Sequence, residues 1–161
     1  LYQQTPEFQK VNYAMTLDEY RRIFYIEYLH RLIARVAGLV VILPLAFFVV
    51  KGVIPWRRSG IYLLIALLFV FQGYLGWYMV SSGLVDRPMV SPYRLTIHLL
   101  MALLVLGLTF WALLNRRYGR SLPGQSRSRY TFAWSIALLV FLIVQIGYGG
   151  LVAGMKAGHI S

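Results

Sequence analysis

The sequence contains no cysteine. This absence excludes a disulfide framework, a thiolate zinc site and thiol chemistry. Charged residues are also scarce, at 13% of the 161 residues, whereas hydrophobic residues make up 59% of the chain. A soluble domain of this size has no core large enough to bury that much apolar side chain, so much of it must face lipid.

Acidic residues are the scarcest charged class: five Asp and Glu stand against 16 Lys and Arg, which gives a formal net charge of +11. A basic excess of this kind can indicate a nucleic-acid-binding protein. Here, however, the basic residues lie in short blocks between long apolar runs, as they do in the cytoplasmic loops of membrane proteins. The pattern predicts membrane lipid, and no nucleic acid, as a partner.

Four apolar runs are long enough to cross a bilayer, which takes roughly 20 helical residues for ~30 Å of hydrocarbon. The sequence therefore predicts an all-α fold, a polytopic membrane bundle of four transmembrane helices. We place them near residues 23–50, 60–81, 95–114 and 130–154, with residues 1–22 as an external loop or amphipathic segment.

Loop charge predicts the orientation of these helices. The second loop is nearly neutral, whereas the first and third carry the basic residues Lys51, Arg57, Arg58, Arg116, Arg117, Arg120, Arg127 and Arg129. By the positive-inside rule, the first and third loops are cytoplasmic, and the second loop and both chain ends are external. A first helix that enters from outside without a signal peptide predicts a further span upstream, and hence that the chain is a fragment.

Two of the three histidines, His30 and His98, lie within predicted spans. Both spans run from outside to inside, and both imidazoles fall at a similar depth in the outer leaflet. Two neutral imidazoles facing each other at one depth are what six-coordinate heme iron requires. A packing role is the better interpretation of a single histidine, but the matched pair favours heme ligands. His159 follows the fourth span and is expected to be solvated.

Charged residues accompany the first histidine. Glu27 precedes His30 by three residues, and Arg31 and Arg35 follow at intervals of four, which places a carboxylate–guanidinium ladder along one side of the helix. Charged groups inside a membrane are costly enough to be functional candidates. Glu27 either pairs with Arg31 or takes part in proton transfer.

The arginines are candidates for binding carboxylates. Arg94 precedes His98 by four residues and can share its face. Arginine is the natural bidentate partner of a carboxylate, and heme carries two propionates. Snorkelling to headgroup phosphates is an equally good interpretation of Arg31, Arg35 and Arg94.

The second and fourth spans each place a glutamine and a glycine one turn apart, as Gln72 with Gly76 and Gln145 with Gly149. Small residues let helices approach closely, and a buried glutamine supplies a hydrogen bond across a bundle. This likeness indicates either an internal repeat or two independent packing motifs.

Several segments, taken in order, match one known pattern. Residues 27–31 read EYLHR and are followed by Arg35; residues 72–84 read QGYLGWYMVSSGL; residues 90–99 read VSPYRLTIHL. They resemble the E-x-x-H-R…R, Q-G-x-x-G-W-x-M-V-x-S-G-L and V-S-x-Y-R-L-x-x-H-L segments of the heme A synthase family. In having no cysteine, the sequence resembles the cysteine-free proteobacterial or mitochondrial branch of that family.

The resemblance implies a fold of eight spans in two similar four-helix halves, each with a histidine pair near the outer face. This chain would cover roughly the second to fifth transmembrane helices. Residues 23–129 would form the substrate-side half, and residues 130–161 would begin the second half. His30 and His98 would be the histidine pair, and Glu27 the catalytic carboxylate.

The resemblance also implies an activity. Members of this family are oxidoreductases that oxidise the C8 methyl of heme O to a formyl group, which gives heme A for cytochrome oxidase. The oxygen is expected from water, and the electrons are expected to pass to heme b in the half that is missing here, so this fragment alone should be inactive. Expected partners are heme O synthase, cytochrome oxidase assembly factors and a second copy of the protein. The expected location is the bacterial inner membrane or the mitochondrial inner membrane.

Two rival functions stay open. A b-type cytochrome membrane subunit would use the histidines for an electron-transfer heme, and a transporter fragment would use Glu27, His30 and Arg31 as an ion relay. Glu27 discriminates between the first rival and the synthase, because electron transfer requires no carboxylate beside the ligand, whereas methyl oxidation is expected to require one.

Overall fold

The structure is a computed structural model, and it describes residues 4, 8–9, 13–81, 90–119 and 128–155. These residues form four long α-helices, α1 (Leu17–Val50), α2 (Gly60–Ser81), α3 (Pro92–Tyr118) and α4 (Arg129–Gly154). Within the described part of the chain there is no strand. All four helices are long and apolar enough to cross a membrane. The predicted all-α fold with four candidate spans is confirmed.

α1 begins six residues before the predicted span (23 minus 17) because a capping box stands at its start. The backbone N–H of Thr16 donates to the Glu19 carboxylate at 2.8 Å, and the Glu19 N–H donates to the Thr16 hydroxyl at 3.4 Å. These bonds satisfy donors that the first turn of a helix otherwise leaves without partners. The prediction followed the apolar run alone and so missed this polar start.

The capping box also sets the charge state of its acidic member. The hydrogen bond from the Thr16 backbone, and then the one from its hydroxyl, lowers the pKa of the Glu19 carboxyl, which lies before the predicted span. A lowered pKa in the folded state means that the ionised carboxylate stabilises the cap. That stabilisation is present above the unfolded pKa and is lost as pH falls through the lowered folded pKa.

Replacing Thr16 with alanine is expected to destabilise the first turn of α1 by about 1 kcal/mol, because the side-chain acceptor for the Glu19 N–H is lost. Hydrogen exchange of the first-turn amides should then be roughly fivefold faster. Thr16→Ser keeps the hydroxyl and is the matched control, with no change expected. Equal exchange rates in Thr16→Ala and the control would show that the cap does not hold this turn.

The chain divides into two compact units, residues 1–90 and residues 91–161. In the first unit, α1 packs against α2. The connection contains a short 3-10 turn, Trp56–Arg58. Ser59 follows it and is fully buried, and its hydroxyl donates to the Trp56 carbonyl at 2.7 Å. Gly52 has a φ of +69°, a backbone conformation that glycine adopts without strain just after α1 ends.

In the second unit, α3 packs along α4, and the closest approach is made by glycine. A methyl group on Gly150 would lie 2.8 Å from the Thr96 Oγ1, and one on Gly154 would lie 2.6 Å from the Pro92 Cα. Gly149, which the sequence suggests as a packing residue, makes no close contact among the described residues, because a methyl group there would meet nothing within 4 Å, so its packing role stays a prediction. The glycines that permit the contact are four residues apart, which is the spacing of small residues at membrane helix interfaces.

Few residues are buried within these units. Only Ile65, Val105 and Ala112 form buried apolar positions among the described residues, while most large apolar side chains are exposed. Exposed apolar surface on this scale is costly in water and favourable in lipid or against further membrane helices. The exposure pattern agrees with the apolar composition of the helices and with their length.

Candidate functional site

The first cluster of predicted site residues lies on α1. The Arg31 guanidinium donates to the Glu27 carboxylate and forms an ion pair with it, as the spacing of four residues allows. The pair is accessible, because the Arg31 side chain is 48% exposed and the Glu27 side chain is 51% exposed. His30 is exposed as well. It lies three residues after Glu27, or about 60° away around the helix, so both belong to one face.

Arg35 continues the charged face of α1. It lies one helical turn after Arg31 and is exposed. A carboxylate-bearing ligand that approached this face would therefore meet two guanidinium groups in succession. Since one of them already holds Glu27, such a ligand would have to share Arg31 with it or bind Arg35 alone.

The second cluster lies in the first two turns of α3, which begins at Pro92. Arg94 and His98 are both half-buried there, and they lie four residues apart on one face. The Nδ1 atom of the His98 ring is buried. This imidazole is thus less exposed than that of His30.

The two clusters belong to different units, with Glu27 and His30 in residues 1–90 and Arg94 and His98 in residues 91–161. Each cluster is formed by neighbours along its own helix. The pairing of His30 with His98 across one heme therefore stays a prediction.

Sequence reasoning missed an aromatic row beside the α1 cluster. Tyr20, Phe24 and Tyr28 follow one another at intervals of four residues, and their rings lie in contact, with centroids 6.0 Å apart for the first pair and 6.1 Å for the second. The rings of Phe24 and Tyr28 are stacked within 14° of parallel. The signal for this row is its four-residue spacing, which a search for charged and metal-binding residues passes over.

A comparable aromatic row lies on α2. The rings of Tyr74 and Tyr78 stack at 6.2 Å with an interplanar angle of 8°, and Phe71 stacks on Tyr74 at 6.0 Å. Flat aromatic surfaces of this kind pack well on other π systems and on apolar chains. They add apolar contact area to the first unit, in which Glu27 and His30 also lie.

The donor set suits a heme better than a metal ion held by protein ligands alone. In the described ranges, no group of three or more His, Cys, Asp or Glu residues could hold a metal ion. Heme iron takes its equatorial ligands from the porphyrin, so it requires only one or two axial ligands from the protein, and histidine is a common one. His30 and His98 have the right chemistry for that role, and Arg31, Arg35 and Arg94 have the right chemistry for propionates.

Comparison with known proteins identifies the family. The model of the cytochrome oxidase assembly protein family (COX15-CtaA) matches residues 1–161. The chain is 43% identical over 160 residues to a heme A synthase of Rickettsia bellii, and the match covers 99% of this chain and 48% of the relative. It is 45% identical over 161 residues to a heme A synthase of Wolbachia pipientis, with the same two coverages, 99% and 48%.

A third relative comes from a different bacterial group. A heme A synthase of Nitrosospira multiformis is 44% identical over 164 residues, which cover 98% of this chain and 44% of that protein. The chain thus spans about half the length of the curated relatives it matches. No solved structure gives a significant match to it.

These matches agree with the resemblance that residues 27–35, 72–84 and 90–99 carry in the sequence. The family model covers every residue, and the relatives cover nearly all of the chain. The four helices, each able to cross a membrane, fit the membrane-protein interpretation. The chain is therefore a membrane protein that belongs to the cytochrome oxidase assembly protein family, as the resemblance to heme A synthases predicted.

Proposed function

We propose that this chain forms the substrate-binding part of a heme A synthase, an oxidoreductase that converts heme O to heme A. The observation that carries the proposal is the match of nearly the whole chain to several relatives named heme A synthase. The matched region includes Glu27, His30 and His98, the residues in which the sequence and the donor chemistry point to a heme.

Heme O is the proposed ligand of His30 and His98. Each histidine lies 20 residues before the last residue of its own helix, Val50 for α1 (50 minus 30) and Tyr118 for α3 (118 minus 98). At 1.5 Å per residue, each is ~30 Å from that end, which is about the thickness of the hydrocarbon core. Helices that run in the same direction from a common interface would thus bring both imidazoles to the same outer depth.

Arginines are proposed to hold the propionates of the bound heme. Arg31 and Arg35 lie next to His30 on α1, and Arg94 lies one turn before His98 on α3. Guanidinium groups bind carboxylates through paired hydrogen bonds, so they orient the porphyrin as well as attract it. That orientation decides which edge of the ring, and hence which methyl group, lies near Glu27.

Glu27 is the proposed proton acceptor. Oxidation of a ring methyl to a formyl group consumes one water and releases four electrons and four protons. A carboxylate near that methyl takes up protons as they leave and stabilises the positive charge that develops there. The ion pair with Arg31 keeps the Glu27 carboxylate on the accessible face of α1. The electrons are proposed to leave for heme b in the other half of the family's fold.

The wider setting follows from the same proposal. Residues 23–129 would form the substrate-side half, and residues 130–161 would begin the half that binds heme b. A heme O synthase would supply the substrate, cytochrome oxidase assembly factors would receive the product, and the protein would form a homo-oligomer in the bacterial inner membrane, or in the mitochondrial inner membrane if the source is eukaryotic. Because heme b is needed to take up electrons, this chain by itself is expected to be inactive.

Heme extraction from cells tests the proposal. The full-length protein would be expressed in bacteria that make heme O but no heme A, and the extracted hemes would be separated and identified by mass. The appearance of heme A on expression supports the synthase. Membranes that gain only unmodified protoheme would instead support a b-type electron-transfer cytochrome, and membranes without any added heme would favour a transporter.

A further inference from the structure

The N-terminal end of α3 is held against α4 with no space for a side chain between them. A methyl group on Gly154 would lie 2.6 Å from the Cα of Pro92 and 2.9 Å from its Cβ. One on Gly150 would lie 2.8 Å from the Oγ1 of Thr96 and 3.3 Å from its Cα. The Cα and the ring of Pro92 cannot rotate out of the way, so a side chain at position 154 must push the helices apart. At position 150 the nearest atom is the Thr96 hydroxyl, which blocks a side chain as long as that hydroxyl keeps its orientation.

Thr96 is fixed at this contact. Its side chain is buried, with 8% of the residue exposed, and its hydroxyl donates to the Pro92 carbonyl at 2.8 Å. The hydroxyl is therefore held against α3 itself. The first two turns of α3 and the end of α4 are therefore closely packed. The distance between the two helices is set by the lack of a side chain at Gly150 and Gly154.

His98 follows Thr96 by two residues, which places it about 200° around the helix. It thus lies on the side of α3 away from the α4 contact, where the Nδ1 of its ring is buried. A movement of this part of α3 away from α4 would carry the imidazole with it, in the direction in which His98 projects.

We propose that Gly150 and Gly154 of α4 are positioning residues for His98, because they set how far α3 reaches toward the heme; this rests on the proposed function of His98 as an axial ligand. Ordinary van der Waals contact begins at 3.4 Å. A methyl on Gly154 therefore requires the facing atoms to move at least 0.8 Å further away (3.4 minus 2.6), and one on Gly150 requires 0.6 Å (3.4 minus 2.8). Functional geometry tolerates displacements of only about 0.5 Å. The glycines therefore place His98 for axial ligation.

The test is the spectrum of the heme that depends on His98, measured by electron paramagnetic resonance per mole of purified full-length protein. His98→Ala identifies that signal by removing it. Gly150→Ala and Gly154→Ala are expected to lose most of its low-spin form and to make heme A roughly tenfold more slowly. Gly149→Ala and Gly147→Ala are matched controls, since a methyl at either position meets nothing within 4 Å.

A second variant separates positioning from misfolding. Thr96→Ala removes the oxygen nearest to Gly150, so Gly150→Ala combined with Thr96→Ala is expected to regain the wild-type signal. If Gly154→Ala leaves no protein in the membrane, Gly150→Ala decides the question, because it requires the smaller displacement. Wild-type spectra in the folded glycine variants, or no recovery in the double variant, would overturn the inference. A signal that survives His98→Ala would overturn the proposed function instead.

Discussion

Replacing Glu27 with glutamine is expected to slow heme A formation by about 10² to 10⁴-fold, while heme O still binds. Glutamine has nearly the same size as glutamate and still accepts a hydrogen bond from Arg31, but it cannot take up a proton. The rate would be measured as heme A formed from heme O over time in membranes that contain the full-length variant. Bound heme O should accumulate as the product disappears.

The matched control for this substitution is Glu19→Gln, on the same helix. Glu19 is a carboxylate in the first turn of α1, two turns before Glu27, where it belongs to the capping box. Its replacement removes a charge of the same sign and should leave the rate of heme A formation unchanged. If Glu27→Gln forms heme A as fast as this control, proton transfer by Glu27 is contradicted.

Replacing either His30 or His98 with alanine is expected to abolish the low-spin spectrum of the substrate-side heme and to reduce heme A formation below detection. Loss of one axial imidazole leaves the iron with a single protein ligand, which changes its spin state and weakens its binding. Absorption and electron paramagnetic resonance spectra of the purified variants would show both effects. The two variants should behave alike if His30 and His98 are the two axial ligands, as proposed, because each removes one of them.

His159→Ala is the control for the histidine variants. It changes the third histidine of the chain, which lies outside the described residues and is expected to be solvated. Its spectrum and its heme A yield should match those of the wild type. A low-spin spectrum that keeps its full wild-type amplitude per mole of protein in both His30→Ala and His98→Ala would show that neither residue binds the iron.

The fold could be predicted from the sequence because run length and hydropathy alone decide which helices can span a membrane. α2, at Gly60–Ser81, begins and ends where the apolar run does. The start of α1 lies six residues before the start of the predicted span, because the capping box of Thr16 and Glu19 is polar and lies outside the apolar run. Capping chemistry is readable from sequence, but it requires a search for a different signal.

Packing between helices was less predictable. Gly149 and Gly150 are neighbouring glycines in the sequence, yet an added methyl group would clash only at Gly150. The rotation of α4 about its own axis decides which glycine faces α3, and that rotation is set by the whole contact rather than by local sequence. The second glycine at the correct spacing, Gly154, is the signal that distinguishes them, because it forms a small-residue pair with Gly150 but not with Gly149.

In the candidate site, too, contacts within one helix could be predicted from the sequence, whereas the relation between two helices could not. Contacts along one helix follow from spacing, as the pairing of Glu27 with Arg31 does. The relation of His30 to His98 depends on how α1 and α3 pack in the membrane, and spacing within either helix does not determine it. The resemblance to heme A synthases supplies that pairing, so it is the part of the account for which direct measurement matters most.

Identification of the hemes that copurify with the full-length protein is the most direct test of the central claim, that this chain binds heme O and that Glu27 takes up protons as a methyl group of that heme is oxidised. Hemes would be extracted from the purified wild type, from Glu27→Gln and from His98→Ala, and identified by absorption and mass. We expect heme A in the wild type, heme O without heme A in Glu27→Gln, and loss of both in His98→Ala. Unmodified protoheme as the only heme in all three proteins would contradict it.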